Sequence, residues 1–73
     1  MPSQATINAD KIIKNAEASL KASCVSFPDV MMGCILDEAT DLVNAHGYTW
    51  DVALAKAVTI YPATRFAANY IYS

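Results

Sequence analysis

Three residues that interrupt helices divide this chain into four stretches with helical periodicity. Pro28, Gly47 and Pro62 stand at the boundaries, and between them apolar residues recur three and four positions apart. Proline breaks or kinks a helix, and glycine readily takes the left-handed conformation that ends one. No strand-like alternation is long enough to compete, and thirteen alanines favour helix. The sequence therefore predicts an all-α protein.

The predicted architecture is a small compact bundle of four helices. Their approximate ranges are 8–24, 28–46, 49–60 and 62–72. Asn8 is the predicted cap of the first helix, so residues 1–7 are expected to form a flexible N-terminal lead and residues 8–73 a single helical domain. A single helix kinked at Pro62 is the alternative to separate third and fourth helices.

Stability from one core is marginal in a chain of 73 residues, so a disulfide, a metal or self-association is expected to help. Cys24 and Cys34 lack CxxC spacing and His46 is the only histidine, so no metal site is expected. The N-terminus shows neither a signal peptide nor a membrane span, which favours the cytoplasm. In that reducing compartment both cysteines are expected to be small buried hydrophobes, with a bridge or a reactive thiol as the alternative.

The second helix carries an unusually wide apolar arc. Such an arc predicts contact with more than one element, as in a central helix or one that also binds a partner. Gly33 lies inside this helix at a cost of about 1 kcal/mol relative to alanine, so a close approach by another backbone is expected, with simple tolerance as the alternative. Met31 and Met32 suit either the core or an adaptable contact surface for a partner or a second copy.

Charge is segregated along the chain. Residues 22–55 contain no lysine or arginine and sum to −5, against +1 before them and +2 after them. Asp29 and Asp51 are explained as first-turn residues of helices, where the helix dipole favours a negative charge. The remaining carboxylates, which we call the acidic strip, all lie on helix 2: Asp37, Glu38 and Asp41.

Within the acidic strip, Glu38 lies at the edge of the apolar arc, where an unpaired charge is costly to bury. The default partner is Lys56 or Arg65 within the fold, and the alternative is a basic residue of another protein. The strip is the predicted partner-binding surface, and its carboxylates are explained more simply as a solvated helix face than as acid–base groups.

Known motifs for catalysis and ligand binding are absent. The chain has no phosphate-binding glycine loop, no dinucleotide fingerprint and no calcium loop. His46 stands at a helix end, where interaction with exposed carbonyls explains it. The five cations form no basic stripe. If the second and third helices formed a helix-turn-helix, the third helix would offer only Lys56 as a basic group. We therefore expect no enzyme, no cofactor, no metal, no direct nucleic-acid binding and no membrane partner.

Aromatic residues concentrate in the last third of the chain, where most are expected in the core. Tyr48 precedes a helix cap and Tyr72 lies off the apolar stripe, so these two are the predicted interface aromatics. The segment 47–57 resembles the turn-plus-helix segments of many small phage-encoded proteins, but it carries no functional residue that can be transferred.

The expected function is a small protein–protein interaction module, an accessory regulator or inhibitor from a phage or other mobile element. Its acidic strip is expected to occlude a basic surface of another protein, such as one that binds nucleic acid. The alternative is a homo-oligomeric assembly protein, a homodimer in the simplest case, that uses the wide face of helix 2 and the aromatic C-terminal helix.

Overall fold

Residues 2–69, which the computed structural model describes, form three α-helices and a final run of turns. The helices are α1 (Gln4–Ala22), α2 (Pro28–His46) and α3 (Trp50–Ile60). The all-α class is thus confirmed for the described range. The prediction of four helices is wrong for the described range, because turns occupy residues 62–68.

The first helix begins four residues earlier than predicted. Ser3 is the N-cap, and its side-chain oxygen accepts a hydrogen bond from the backbone N–H of Thr6 at 3.2 Å. Serine is among the preferred N-cap residues because its oxygen satisfies a backbone donor of the first turn. Asn8, the predicted cap, lies inside α1 and accepts a hydrogen bond from the Gln4 side chain at 2.9 Å. Residues 4–7 of the predicted lead are therefore helical.

The end of α1 is a Schellman motif built on a cysteine. Cys24 takes the left-handed conformation (φ 55°) and its N–H bonds to the carbonyl of Lys21 at 3.2 Å. The N–H of Val25 reaches the carbonyl of Leu20 at 3.4 Å, and Val25 packs against the core. This pattern satisfies the last helical carbonyls, and glycine usually holds the left-handed position. The helix therefore ends at Ala22, two residues earlier than predicted.

The bounds of α2 agree with the prediction at both ends. Pro28 occupies the first turn, where its missing N–H is not needed, and Asp29 adds a negative charge there. Gly47 ends the helix in the left-handed conformation (φ 69°), with its N–H on the carbonyl of Val43 at 2.9 Å. Proline and glycine therefore define α2 as their backbone preferences require.

Over residues 62–68 the predicted fourth helix is replaced by turns that a buried threonine organises. Tyr61 is extended (φ −104°, ψ 117°), as expected for a residue before proline. The Thr64 hydroxyl is buried and donates to the carbonyl of Val58 at 3.1 Å, so it satisfies the end of α3. Backbone bonds at Thr64, Ala67 and Asn69 span three residues each, which is the spacing of successive turns. The alternative of one kinked helix is wrong for the same reason.

The third helix is the centre of the fold, not the second helix as expected. α3 packs against both α1 and α2, and those two contact each other less extensively. The face of α3 that meets them is fully buried and consists of small and medium side chains: Ala53, Leu54, Ala57 and Val58. Alanines let helix backbones approach closely, so the short third helix can pack between two longer ones.

Two local expectations are wrong, one for the two cysteines and one for Gly33. Cys24 and Cys34 are both exposed and unbridged rather than buried. Cys24 holds the left-handed position of the turn, and Cys34 is an exposed residue of α2. A side-chain carbon added at Gly33 would meet no atom within 4 Å, so no other backbone approaches this glycine. Tolerance, the alternative considered for Gly33, is what the structure supports.

Candidate partner-binding surface

The exposed side of α2 is a ridge with an apolar half and an acidic half. Val30, Cys34, Asp37 and Asp41 follow one another at helical spacing, and all four are exposed. We call these four residues the outer ridge. Asp37 and Asp41 lie one turn apart, about 6 Å along the helix axis. Glu38, the third member of the acidic strip, is half-buried beside them.

The predicted internal partners of Glu38 are engaged elsewhere. The Lys56 ammonium nitrogen lies 5.1 Å from the centre of the Tyr48 ring, and the Arg65 guanidinium lies 4.6 Å from the centre of the Phe66 ring. Among residues 2–69 no ion pair joins Glu38 to either cation, so the expected intramolecular pair is not formed. Partial exposure lets water solvate the Glu38 carboxylate instead.

The acidic strip is close enough to Tyr61 to affect its ionisation. Burial raises the pKa of the Tyr61 phenol above its ordinary value, and the neighbouring Cys34, Glu38 and Asp37 raise it further. Their Coulombic repulsion opposes the negative charge of an ionised phenol. Tyr61 therefore borders the strip as a neutral hydroxyl at physiological pH.

The other predicted contact residues divide between core and surface. Met32 is only 7% exposed and belongs to the core, and Met31 is half-buried and packs against it. Tyr48 is also half-buried, between Lys56 and the His46 ring at 5.4 Å. Tyr72 lies outside the described residues. The role of these four residues in binding or self-association stays a prediction, with Met32 offering the least surface.

Large apolar side chains are exposed at two places. Phe27 and Val30 stand at the start of α2, where Val30 is 65% exposed. Ile60 and Phe66 stand at the end of α3 and in the following turns, where Phe66 is 63% exposed. Exposed aromatic and aliphatic groups of this size are typical of contact surfaces when they lie beside polar groups.

A polar junction that the sequence did not reveal joins α1 to the start of α3. Asp51 is 9% exposed, and its carboxylate accepts from the Thr49 hydroxyl at 2.6 Å and from the Asn8 amide at 3.5 Å. The Thr49 bond, with further bonds from backbone N–H groups and Asn8, holds the pKa of Asp51 below its usual value despite burial. The predicted first-turn position of Asp51 is confirmed, and the junction gives it a structural role as well.

A second feature missed from the sequence is a groove between α3 and the final turns. It encloses about 380 Å³, and we call it the α3 groove. Its lining combines apolar and polar side chains with two cations: Val52, Ala55, Lys56, Thr59, Arg65, Ala68 and Asn69. The charge sum of +2 after residue 55 was the signal in the sequence, but only the turns bring both cations to one place.

Besides the α3 groove, residues 2–69 contain a second, smaller groove but no cluster of metal-binding side chains. Within residues 2–69 no three histidine, cysteine or acidic side chains are grouped so that they could hold a metal ion. A smaller groove of about 260 Å³ between α1 and α2 is lined by Lys21, Glu17 and Asp29 among others, but it contains no histidine or cysteine. None of the three described helices is both long and apolar enough to cross a membrane.

Comparison of the chain with protein-family models, with curated proteins and with solved structures finds no significant match. The surfaces described above are therefore what a functional proposal can draw on.

Proposed function

We propose that this chain is a small non-enzymatic interaction module whose acidic strip binds a basic surface of another protein. Occlusion is the proposed mechanism: a helix that covers a basic patch prevents that patch from binding its own ligand, such as a nucleic acid. The proposal includes a cytoplasmic setting and an accessory role, regulatory or inhibitory, of the kind encoded by phages and other mobile elements.

The observation that carries this proposal is the position of Asp37 and Asp41. Both are exposed, one turn apart, on the side of α2 that faces away from the core. Like charges four residues apart destabilise a helix by about 0.2–0.5 kcal/mol. No ion pair within residues 2–69 offsets that cost. Neutral residues in place of Asp37 and Asp41 would therefore serve the fold equally well. A basic partner surface would make both carboxylates favourable.

Affinity capture with the full chain tests the proposal. Wild-type protein is compared with the ridge variant Asp37→Lys/Asp41→Lys, using lysate of the source organism and mass spectrometry, and the captured protein is then purified for titration. The matched control is Asp10→Lys/Glu17→Lys on α1, which changes the net charge equally at two exposed positions. We expect capture by wild type and control, loss with the ridge variant, and weaker binding as salt increases.

Capture that survives reversal of Asp37 and Asp41, or that does not respond to salt, would remove the acidic strip from the mechanism. If this chain does not change how the captured protein binds nucleic acid, occlusion of nucleic acid is excluded as the mechanism. The genes that neighbour this one test the mobile-element origin.

Self-association as an assembly protein is the second candidate. The exposed Phe27 and Val30 on α2 and the exposed Ile60 and Phe66 near the end of α3 support it. The aromatic C-terminal helix that the sequence suggested for this role is not formed over residues 62–68, so turns would supply that part of the interface. Light scattering over micromolar concentrations tests this candidate, and a strict monomer would exclude it.

A further inference from the structure

The α3 groove collects both cations that follow residue 55. Lys56 comes from the exposed side of α3, and Arg65 comes from the turns, so two separate elements supply them to one groove. Their charged ends lie over aromatic rings, and within residues 2–69 neither forms an ion pair with a carboxylate. The rest of the lining combines apolar side chains with polar ones: Val52, Ala55 and Ala68, and Thr59 and Asn69. The groove thus suits an occupant that carries both carboxylates and apolar side chains.

The same molecule presents an occupant of that chemistry. The outer ridge of α2 carries exposed Val30 and Cys34 in its first half and exposed Asp37 and Asp41 in its second half. Its two carboxylates match in number the two cations of the groove. Arginine favours carboxylates because its guanidinium can donate two parallel hydrogen bonds, and lysine adds a second positive charge.

We propose that the outer ridge of one copy docks in the α3 groove of a second copy. The Asp37 and Asp41 carboxylates face Lys56 and Arg65, and Val30 covers part of the apolar lining. This inference rests on self-association, the second candidate function, and names the surfaces that produce it. The contact joins two different surfaces, so it closes into a symmetric dimer only if both ridge–groove contacts form together.

The association is expected to be weak and sensitive to salt, because exposed ion pairs are screened by dissolved ions. We expect the dissociation constant to rise about tenfold or more between 0.05 and 0.5 M NaCl, since the Debye length falls from well above the ion-pair distance to near it. A contact governed by apolar burial alone would not weaken in this way.

Sedimentation equilibrium of the full chain at 10–1000 µM tests the contact, using variants in which the charges of the outer ridge or of the α3 groove are reversed. The ridge variant Asp37→Lys/Asp41→Lys has a basic ridge and a basic groove, and the groove variant Lys56→Glu/Arg65→Glu has an acidic ridge and an acidic groove. Each alone is expected to associate at least about tenfold more weakly than wild type, because its two surfaces now repel. An equimolar mixture is expected to recover association.

The variant that combines all four substitutions is the sharpest control. It has a basic ridge and an acidic groove, and its formal charge equals the wild-type value of −2. Recovery of self-association in this variant therefore cannot come from a change in net charge. Circular dichroism of each variant shows whether the helices are retained. Reversal of Lys11 and Lys14 on α1, both exposed, gives the matched control for the groove variant.

The inference would be overturned if wild type stays monomeric over the whole concentration range at 0.05 M NaCl. It would also be overturned if the ridge and groove variants associate as wild type does, or if neither the mixture nor the four-substitution variant recovers association. The groove variant separates this inference from the proposed function, because its outer ridge is unchanged. If it loses self-association and still captures the heterologous partner, both proposals stand. If wild type captures a partner through the ridge but never self-associates, only this inference fails.

Discussion

In the turn between α2 and α3, Gly47 and Thr49 suit the conformations that they hold, whereas two residues of α2 and the turn before it do not suit theirs. The turn has glycine at its left-handed position, Gly47. In the polar junction beside the turn, the buried Asp51 is paired with Thr49. α2 and the turn before it contain a non-glycine residue with positive φ, Cys24, and a glycine inside a helix, Gly33, where an added side-chain carbon would meet no atom within 4 Å. Departures from local rules are expected where a surface serves function or carries strain.

This contrast indicates that the two regions have different roles. The polar junction connects α1 to α3 through Asn8, so we expect it to stabilise the fold, and we expect the residues at issue in α2 and the turn before it to contribute little. The predictions that follow replace residues in each region. Losses are expected at Asp51 and Gly47, and neutral effects or gains are expected at Gly33, at Cys24 and on the outer ridge.

The largest effect is expected from removing the junction carboxylate. Asp51→Ala leaves the Thr49 hydroxyl and the Asn8 amide without this acceptor, and hydrogen bonds to charged groups are worth about 1.5–3 kcal/mol. We expect a loss of about 2 kcal/mol in the free energy of unfolding, measured with urea. Asp29→Ala is the matched control, since the exposed first-turn charge of α2 should contribute under about 1 kcal/mol. Equal losses at both positions would contradict the structural role of the junction.

The same carboxylate gives a pH dependence of stability. The pKa of Asp51 is lowered in the fold, so its contribution is fully present above the unfolded value near 3.8 and is lost as pH falls through the folded value. We expect the stability difference between wild type and Asp51→Asn to be constant from pH 7 to about 5 and to shrink below about pH 4. A difference that stays constant down to pH 2 would show that ionised Asp51 is not what the junction uses.

The two glycines should respond to alanine in opposite directions. Gly47→Ala places a side chain on a residue with φ 69° and is expected to cost about 1–2 kcal/mol. Gly33→Ala meets no atom within 4 Å inside a helix and is expected to add about 0.8–1 kcal/mol. Thermal or urea unfolding of the two variants measures both changes. Destabilisation by Gly33→Ala would reveal a contact at α2 that this account lacks.

The smallest gain is expected at the end of α1. Cys24→Gly relieves the left-handed conformation at φ 55° and should add about 0.5–1 kcal/mol, because glycine is the usual residue of this motif. Cys34→Gly is the opposite control, since glycine inside α2 should cost about 1 kcal/mol. Unfolding under reducing conditions excludes disulfide effects, and a loss with Cys24→Gly would contradict the assignment of strain.

Prediction from sequence succeeded where single residues decide the backbone. Pro28 and Gly47 gave both ends of α2, and the apolar periodicity gave the all-α class. It failed where a side-chain hydrogen bond sets the backbone or where an unusual residue takes a special backbone position. Thr64 forms turns because its hydroxyl reaches the carbonyl of Val58, and Cys24 takes the place that glycine usually holds.

The surfaces show the same division. The acidic strip lies within one helix, so helical spacing was enough to place Asp37 and Asp41 on one side. The Asn8–Asp51 hydrogen bond joins residues 43 positions apart, and the α3 groove needs the turns after α3 to add Arg65 to the lining that Lys56 belongs to. No local pattern contains these contacts, because they depend on how the helices pack.

The claim that the outer ridge serves binding rather than folding is tested most directly by urea unfolding of Asp37→Lys/Asp41→Lys. Both positions are exposed and make no ion pair within residues 2–69, so the account predicts a free energy of unfolding within about 0.5 kcal/mol of wild type. A loss of about 1.5 kcal/mol or more, comparable to a lost buried hydrogen bond, would contradict it and make the acidic strip part of the fold.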